Sequence, residues 1–253
     1  MASNGTRPAQ GFAISPVVSA ASMTSGMQIP LRIAVFGCAA ALGVQAIWMT
    51  LPEISVTQKW AWNSRDAAPK QRLVAEWAAY LGVMRGDLWT EFALSYNDLA
   101  WGPDRRIRPL AARQNSEQAQ AVVKRALGYS PHDARLWLLL AALEVQLEGL
   151  DRQPGDRALA ALKMAYYTGP NELELAPYRL MIAVRPGVLA DQELQQLVRN
   201  ELRMLMIHAP QLKSAIIAAY REASPAARGL FEDVAYSEDP ELLRSARSDA
   251  GGR

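Results

Sequence analysis

His132, His208, Cys38, the pair Glu144 and Glu148, and an arginine cluster are the side chains whose types and spacing could do chemistry. The chain's two histidines stand 208 − 132 = 76 positions apart. Neither sits in an acidic motif, so a histidine-based metal site or catalytic triad is not expected. His132 falls in Ser130-Pro131-His132-Asp133, read as a turn whose Asp133 caps the next helix. His208 ends a helical stretch just before Pro210, where a cation suits the helix dipole. Cys38 is the single cysteine, so no intrachain disulfide or cysteine-cluster metal site can form. Glu144 and Glu148 are four apart and share a helix face. Paired carboxylates can act as general acid and base, but an amphipathic helix also needs a polar face, and that is the plainer reading. No phosphate-cradling glycine loop or nucleophile elbow is present. Arg105, Arg106, Arg108 and Arg113 form the one basic cluster, read as a charged loop over 103–115. Such a loop could meet anionic headgroups or an acidic partner. No catalytic residue, metal or cofactor is expected.

The charge pattern separates the chain's beginning from the rest. Lys and Arg number 27, Asp and Glu 25. Residues 1–51 hold Arg7 and Arg32 and no acid, leaving 25 of each sign in 52–253. A neutral body lacks the basic surplus that drives nucleic-acid binding. Residues 1–32 are rich in Ser, Ala, Gly and Pro without helical period and read as a disordered tail. Met27 offers a second plausible start within it.

Residues 33–51, from Ile33 to Leu51, carry no charge. As a helix this run spans roughly 28 Å, about the hydrocarbon thickness of a bilayer. Arg32 bounds one end, Trp48 suits the interface near the other, and Pro52 marks the exit. The run reads as a transmembrane signal anchor. A cleaved signal peptide is the rival, with Val44-Gln45-Ala46 as the small-residue cleavage site and a secreted helical binding protein as its product. Against cleavage, the apolar run continues through Ile47, Trp48, Met49 and Leu51. An anchor this near the amino terminus commonly exports the chain on its carboxyl side. The nearby basic residues, Arg32 before and Lys59 and Arg65 after, lean mildly the other way. The expected location is the inner membrane, single-pass, with the carboxyl-terminal domain periplasmic or extracellular.

The remainder reads all-α. After a linker over 52–70, Leu73, Val74, Trp77, Tyr80, Leu81 and Met84 recur at helical steps, and Leu88, Trp89, Phe92, Ala93, Tyr96 and Leu99 repeat the period. Further helices are predicted from Ser116 to Ala126, from Ala134 to Leu147, and near 156–168, 172–185, 190–208, 210–222 and 225–236. The helical domain is placed at 71–236, with a tail over 237–253. No run shows strand alternation between turn signals.

Within this array Trp89, Phe92, Ala93 and Tyr96 stand at the spacing of the first tetratricopeptide helix, and Ala119, Val123 and Ala126 at that of the second, with Pro131 following. Trp137, Leu140 and Ala141 match again, although Glu144 replaces the aromatic, and Ala158, Leu162, Ala165 and Pro170 complete a second unit. Residues 86–170 thus resemble two degenerate tetratricopeptide repeats. The Trp-to-Pro distances are 131 − 89 = 42 and 170 − 137 = 33, against about 28 in a 34-residue unit. The excess falls in the loops. A third unit is poor, because Ala176 followed by Pro177 stands at the Trp position. A plain helical bundle would show the same apolar spacing. The resemblance implies a superhelix of helix pairs with a groove for a peptide or partner helix. It also implies a membrane-anchored, non-enzymatic scaffold or adaptor in an envelope assembly, as in bacterial surface-polysaccharide or cytochrome c biogenesis. The alternative is an envelope enzyme acting on glycan through an Asp/Glu pair.

Overall fold

A computed structural model of the chain describes residues 25–55, 69–82, 85–101, 109–148 and 154–242. Those residues are all-helical, with no strand among them. The chain divides between Thr50 and Leu51 into two units.

Helix α1 runs from Ser25 to Ser55. It begins within the expected tail and continues past Pro52, so both predicted ends are corrected. A proline removes one hydrogen bond from the ladder and bends it without forbidding the next turn. From Arg32 to Ile47 every side chain is exposed, and Ile33, Phe36, Leu42 and Val44 are 65–75% exposed. The Thr50 hydroxyl donates to the Ala46 carbonyl at 3.0 Å. Among the described residues no helix is long and apolar enough to cross a membrane. The uncharged run of nineteen includes Met49 and Leu51, whose side chains lie outside the described residues.

The second unit contains α2 (Pro69–Leu81), α3 (Gly86–Leu94), α4 (Asn97–Trp101), α5 (Pro109–Tyr129), α6 (Ala134–Glu148), α7 (Asp156–Thr168), α8 (Ala176–Ala183), α9 (Gln192–His208), α10 (Lys213–Glu222) and α11 (Pro225–Glu238). Several starts follow from local chemistry. The Asp191 carboxylate accepts from the Leu194 amide at 3.0 Å and caps α9. Ser224 caps α11, whose first residue is Pro225, a position where a missing N–H costs nothing. Asp133 accepts from the Arg135 amide at 3.0 Å and opens α6. Gly187, at φ 84°, turns the chain between α8 and α9 in the left-handed region that suits glycine.

Helix α6 packs on α4, α7 and α8; α8 packs on α9 and α10; and α9 packs on α7 and α11. Helix α6 lies at the centre against α3, α4, α5, α7 and α8, so Leu136, Leu138, Leu139, Leu143 and Val145 are buried around most of its circumference.

Four further expectations are corrected. The predicted continuous helix through Leu99 breaks at a turn over Ser95 and Tyr96, where the Ser95 hydroxyl donates to the Phe92 carbonyl at 2.6 Å and competes with the ladder. The stretch near 172–185 divides into a 3-10 turn, Leu173–Leu175, and α8. Helix α5 starts at Pro109, whose fixed φ is preset for a first turn, so Ser116 is buried inside the helix rather than opening it. The tail expected from 237 is displaced, since α11 ends at Glu238 and Leu242 is buried in the core. The predicted linker is bounded by Ser55 and Pro69, and residues 1–24, 56–68 and 243–253 lie outside the described residues.

Candidate functional site

Of the residues expected to form the repeat core, Trp89, Phe92, Ala93 and Tyr96 are buried on or just after α3, and Ala119, Val123 and Ala126 are buried on α5. Leu140 and Ala141 are buried on α6, and Ala158, Leu162 and Ala165 on α7. Pro131 and Pro170 are exposed in turns. Trp137 packs against the core. It is partly buried at the edge of the core, held there by its indole N–H donating to the Pro131 carbonyl at 2.7 Å.

The carboxylate pair is separated by its surroundings. Glu144 is buried and faces Lys124 of α5 at 3.4 Å, so it is not part of a solvated face. Glu148 accepts from the Gly155 amide at 2.7 Å and closes the connection to α7. His132 is exposed in the turn before α6, and His208 is exposed in the last turn of α9. Among the described residues no cluster of His, Cys, Asp or Glu could hold a metal ion. Arg113 lies within α5 rather than in a loop, with its side chain outside the described residues, as are Arg105, Arg106 and Arg108 altogether.

A shallow pocket opens where α4, α6, α8 and α10 meet. It is small and open to one side, so it suits one side chain's approach rather than an enclosed small molecule. Trp101, Val145, Met181 and Ile182 give it an apolar wall, with Gln146, Arg185 and Glu222 as its polar edge. The Trp101 ring meets Tyr178 edge-on with centroids 5.0 Å apart. The Trp101 indole nitrogen has no hydrogen-bond partner among the described residues. Burial holds the Tyr178 hydroxyl above its usual pKa. Glu222 is the one carboxylate among the described residues that line the pocket.

Sequence reading missed a buried polar network behind this face. Arg179 of α8 donates through Nε to Glu201 of α9 at 2.8 Å and through NH1 to the Gly169 carbonyl at 2.6 Å. Tyr166 of α7 donates to the other Glu201 oxygen at 2.7 Å. Burial raises the pKa of Glu201, which Arg179 opposes, and raises that of Tyr166 well above the usual phenol value. Every partner is satisfied, which is the condition for a polar network inside a core. The only sequence signal was an arginine within a short apolar helix.

A second cluster joins α2, α3 and α5. Trp89 stacks on Tyr129 with centroids 6.0 Å apart and meets Tyr80 edge-on at 5.4 Å. The Arg125 guanidinium lies 4.1 Å above Trp89. Arg72 bridges to Asp98 at 2.8 Å while covering the Tyr96 ring at 4.4 Å.

No known family, curated protein or solved structure matches the chain.

Proposed function

We propose that the chain is a membrane-anchored, non-enzymatic scaffold that binds a peptide or helix of a protein partner on the face made by α4, α6, α8 and α10. The observation that carries this reading is the pocket at their junction. Aromatic and aliphatic walls with an Arg, a Gln and one carboxylate at the edge suit recognition of a side chain and its backbone. Helices that pack on their neighbours in the chain, α2 on α3, α5 on α6 and α6 on α7, lend this reading its support for a stacked array. The envelope-enzyme reading has less support, because Glu144 is buried and ion-paired with Lys124, and Glu222 has no second acid beside it among the described lining residues of the pocket.

The anchor reading draws on α1. Its apolar side chains are exposed all round, which water disfavours and lipid accepts. Its Thr50 hydroxyl is satisfied within the helix, as an apolar medium requires. Placement in the inner membrane with residues 53–253 exported, within an envelope assembly, completes the proposal.

A photo-crosslinking residue at Met181 of the full-length chain in native membranes tests the binding face. A discrete protein adduct is expected from Met181, weakened by Trp101→Ala, and none from exposed Ala160 on α7. Equal adducts from both positions would overturn the assignment. A reporter fused after Arg253 that works only in the cytoplasm would reverse the orientation.

A further inference from the structure

Helix α2 packs with its small side chains inward and its large ones outward. Ala75, Ala78 and Ala79 are buried against the body, which α2 meets through α3. Leu73, Val74, Trp77, Tyr80 and Leu81 are 52–68% exposed. Those five recur at helical steps along one side of the helix, and the structure turns that side outward. The reason lies in close approach: alanines let α2 sit tight on α3, and at Gly82 an added Cβ would collide with Leu88. Helical arrays ordinarily end in a polar outer face, so this apolar surface calls for a cover.

We infer that the Leu73–Leu81 face of α2 lies in the headgroup region of the bilayer that holds α1. This rests on the anchor reading above. Three observations choose lipid over protein. First, thirteen residues, 56–68, join Ser55 to Pro69, and a fully extended chain of that length reaches roughly 50 Å. An anchored α1 therefore keeps α2 within that reach of the membrane surface. Second, the face carries Trp77 and Tyr80 beside aliphatic residues, the mixture that partitions to a membrane interface. Third, Arg125 is exposed beside the Tyr80 ring at 5.7 Å, with no ion pair among the described residues, and suits an anionic headgroup. A second copy is the competing cover. Five side chains so exposed offer roughly 500 Å², short of the ~800 Å² per partner of a stable interface.

The test uses the full chain in vesicles of phosphatidylethanolamine and phosphatidylglycerol, with an environment-sensitive NBD probe on one cysteine. Three forms are compared: the native chain labelled at Cys38, and Cys38→Ser chains carrying Leu81→Cys or Ala160→Cys. The expected result is blue-shifted emission from position 81, most of it lost when lipids doxyl-labelled near the headgroup are added. Position 160 should stay water-like and unquenched. An unquenched, water-like probe at 81 overturns the inference, and so does a blue-shifted probe that lipid cannot quench, which would mean a protein cover. Cys38 keeps the two readings apart. If doxyl lipids quench Cys38 and not position 81, the anchor stands and the α2 assignment falls. If Cys38 itself is unquenched, the anchor reading fails.

Discussion

Arg179 and Glu201, 22 positions apart on different helices, form an ion pair in the core, with Nε and NH2 converging on one carboxylate oxygen and side chains 0% and 4% exposed. The same guanidinium holds the Gly169 carbonyl at the end of α7. One side chain thus ties the α7 turn, α8 and α9 into a single packing unit. Removing one partner of a buried pair leaves an uncompensated charge, which costs about 3–5 kcal/mol. Glu201→Leu in the detergent-solubilised full chain is expected to unfold at a markedly lower temperature. Arg179→Met together with Glu201→Leu should recover part of that loss, though not the Gly169 hydrogen bond. Circular dichroism against temperature measures both, and a double variant no better than the single would argue against the pair as the cause.

Ala165 is fully buried on α7, while Ala160 on the same helix is exposed. Ala165→Leu overpacks a fitted contact and should cost about 1–3 kcal/mol. At this chain size that lowers Tm by roughly 2–4 °C per kcal/mol. Ala160→Leu is the matched control and should be near neutral. Similar small shifts at both positions would show that α7 is not packed through its alanine face.

Lys163 bridges Asp191 and Glu193, each at 2.7 Å. The Lys163 hydrogen bond, and then the Leu194 amide, hold Asp191 below its ordinary value of 3.8. A carboxylate whose pKa is lower in the folded chain contributes stability above its unfolded value and loses it as pH falls through the folded one. The contribution should therefore be intact above about pH 5 and fade below about pH 4. Asp191→Asn keeps the helix cap but removes the charge. The variant should show a shallower loss of Tm below pH 4 than the parent, and parallel curves would rule out this pair as a source of acid sensitivity.

Gly187 holds the only positive φ among the described residues. Gly187→Ala should cost about 1–2 kcal/mol, from the steric penalty of a left-handed L-residue. Gly187→Asn should cost less, because asparagine tolerates that region. Thermal unfolding of the two variants side by side checks the order.

The helical class was legible from residue spacing alone, because a 3.6-residue period and Gly/Pro punctuation are local properties of the chain. The starts of α9 and α11, expected near 190 and 225, fall close to where Asp191, Ser224 and Pro225 act within one turn. Spacing also singled out Trp89, Ala126, Leu162 and Ala165, which all prove buried. Which face of a helix turns inward was another matter. For α2 the period was legible but not the buried side, because close approach to α3 favours alanine over leucine and tryptophan there. Glu144 looked like a solvated position until Lys124 came across from α5 to meet it. The pocket draws Trp101, Gln146 and Glu222 from three helices and Arg185 from the turn after α8, and the Arg179–Glu201 pair joins residues of two helices. Local sequence determines which residues can be helical; only the packing of one helix on another brings distant side chains within hydrogen-bonding range.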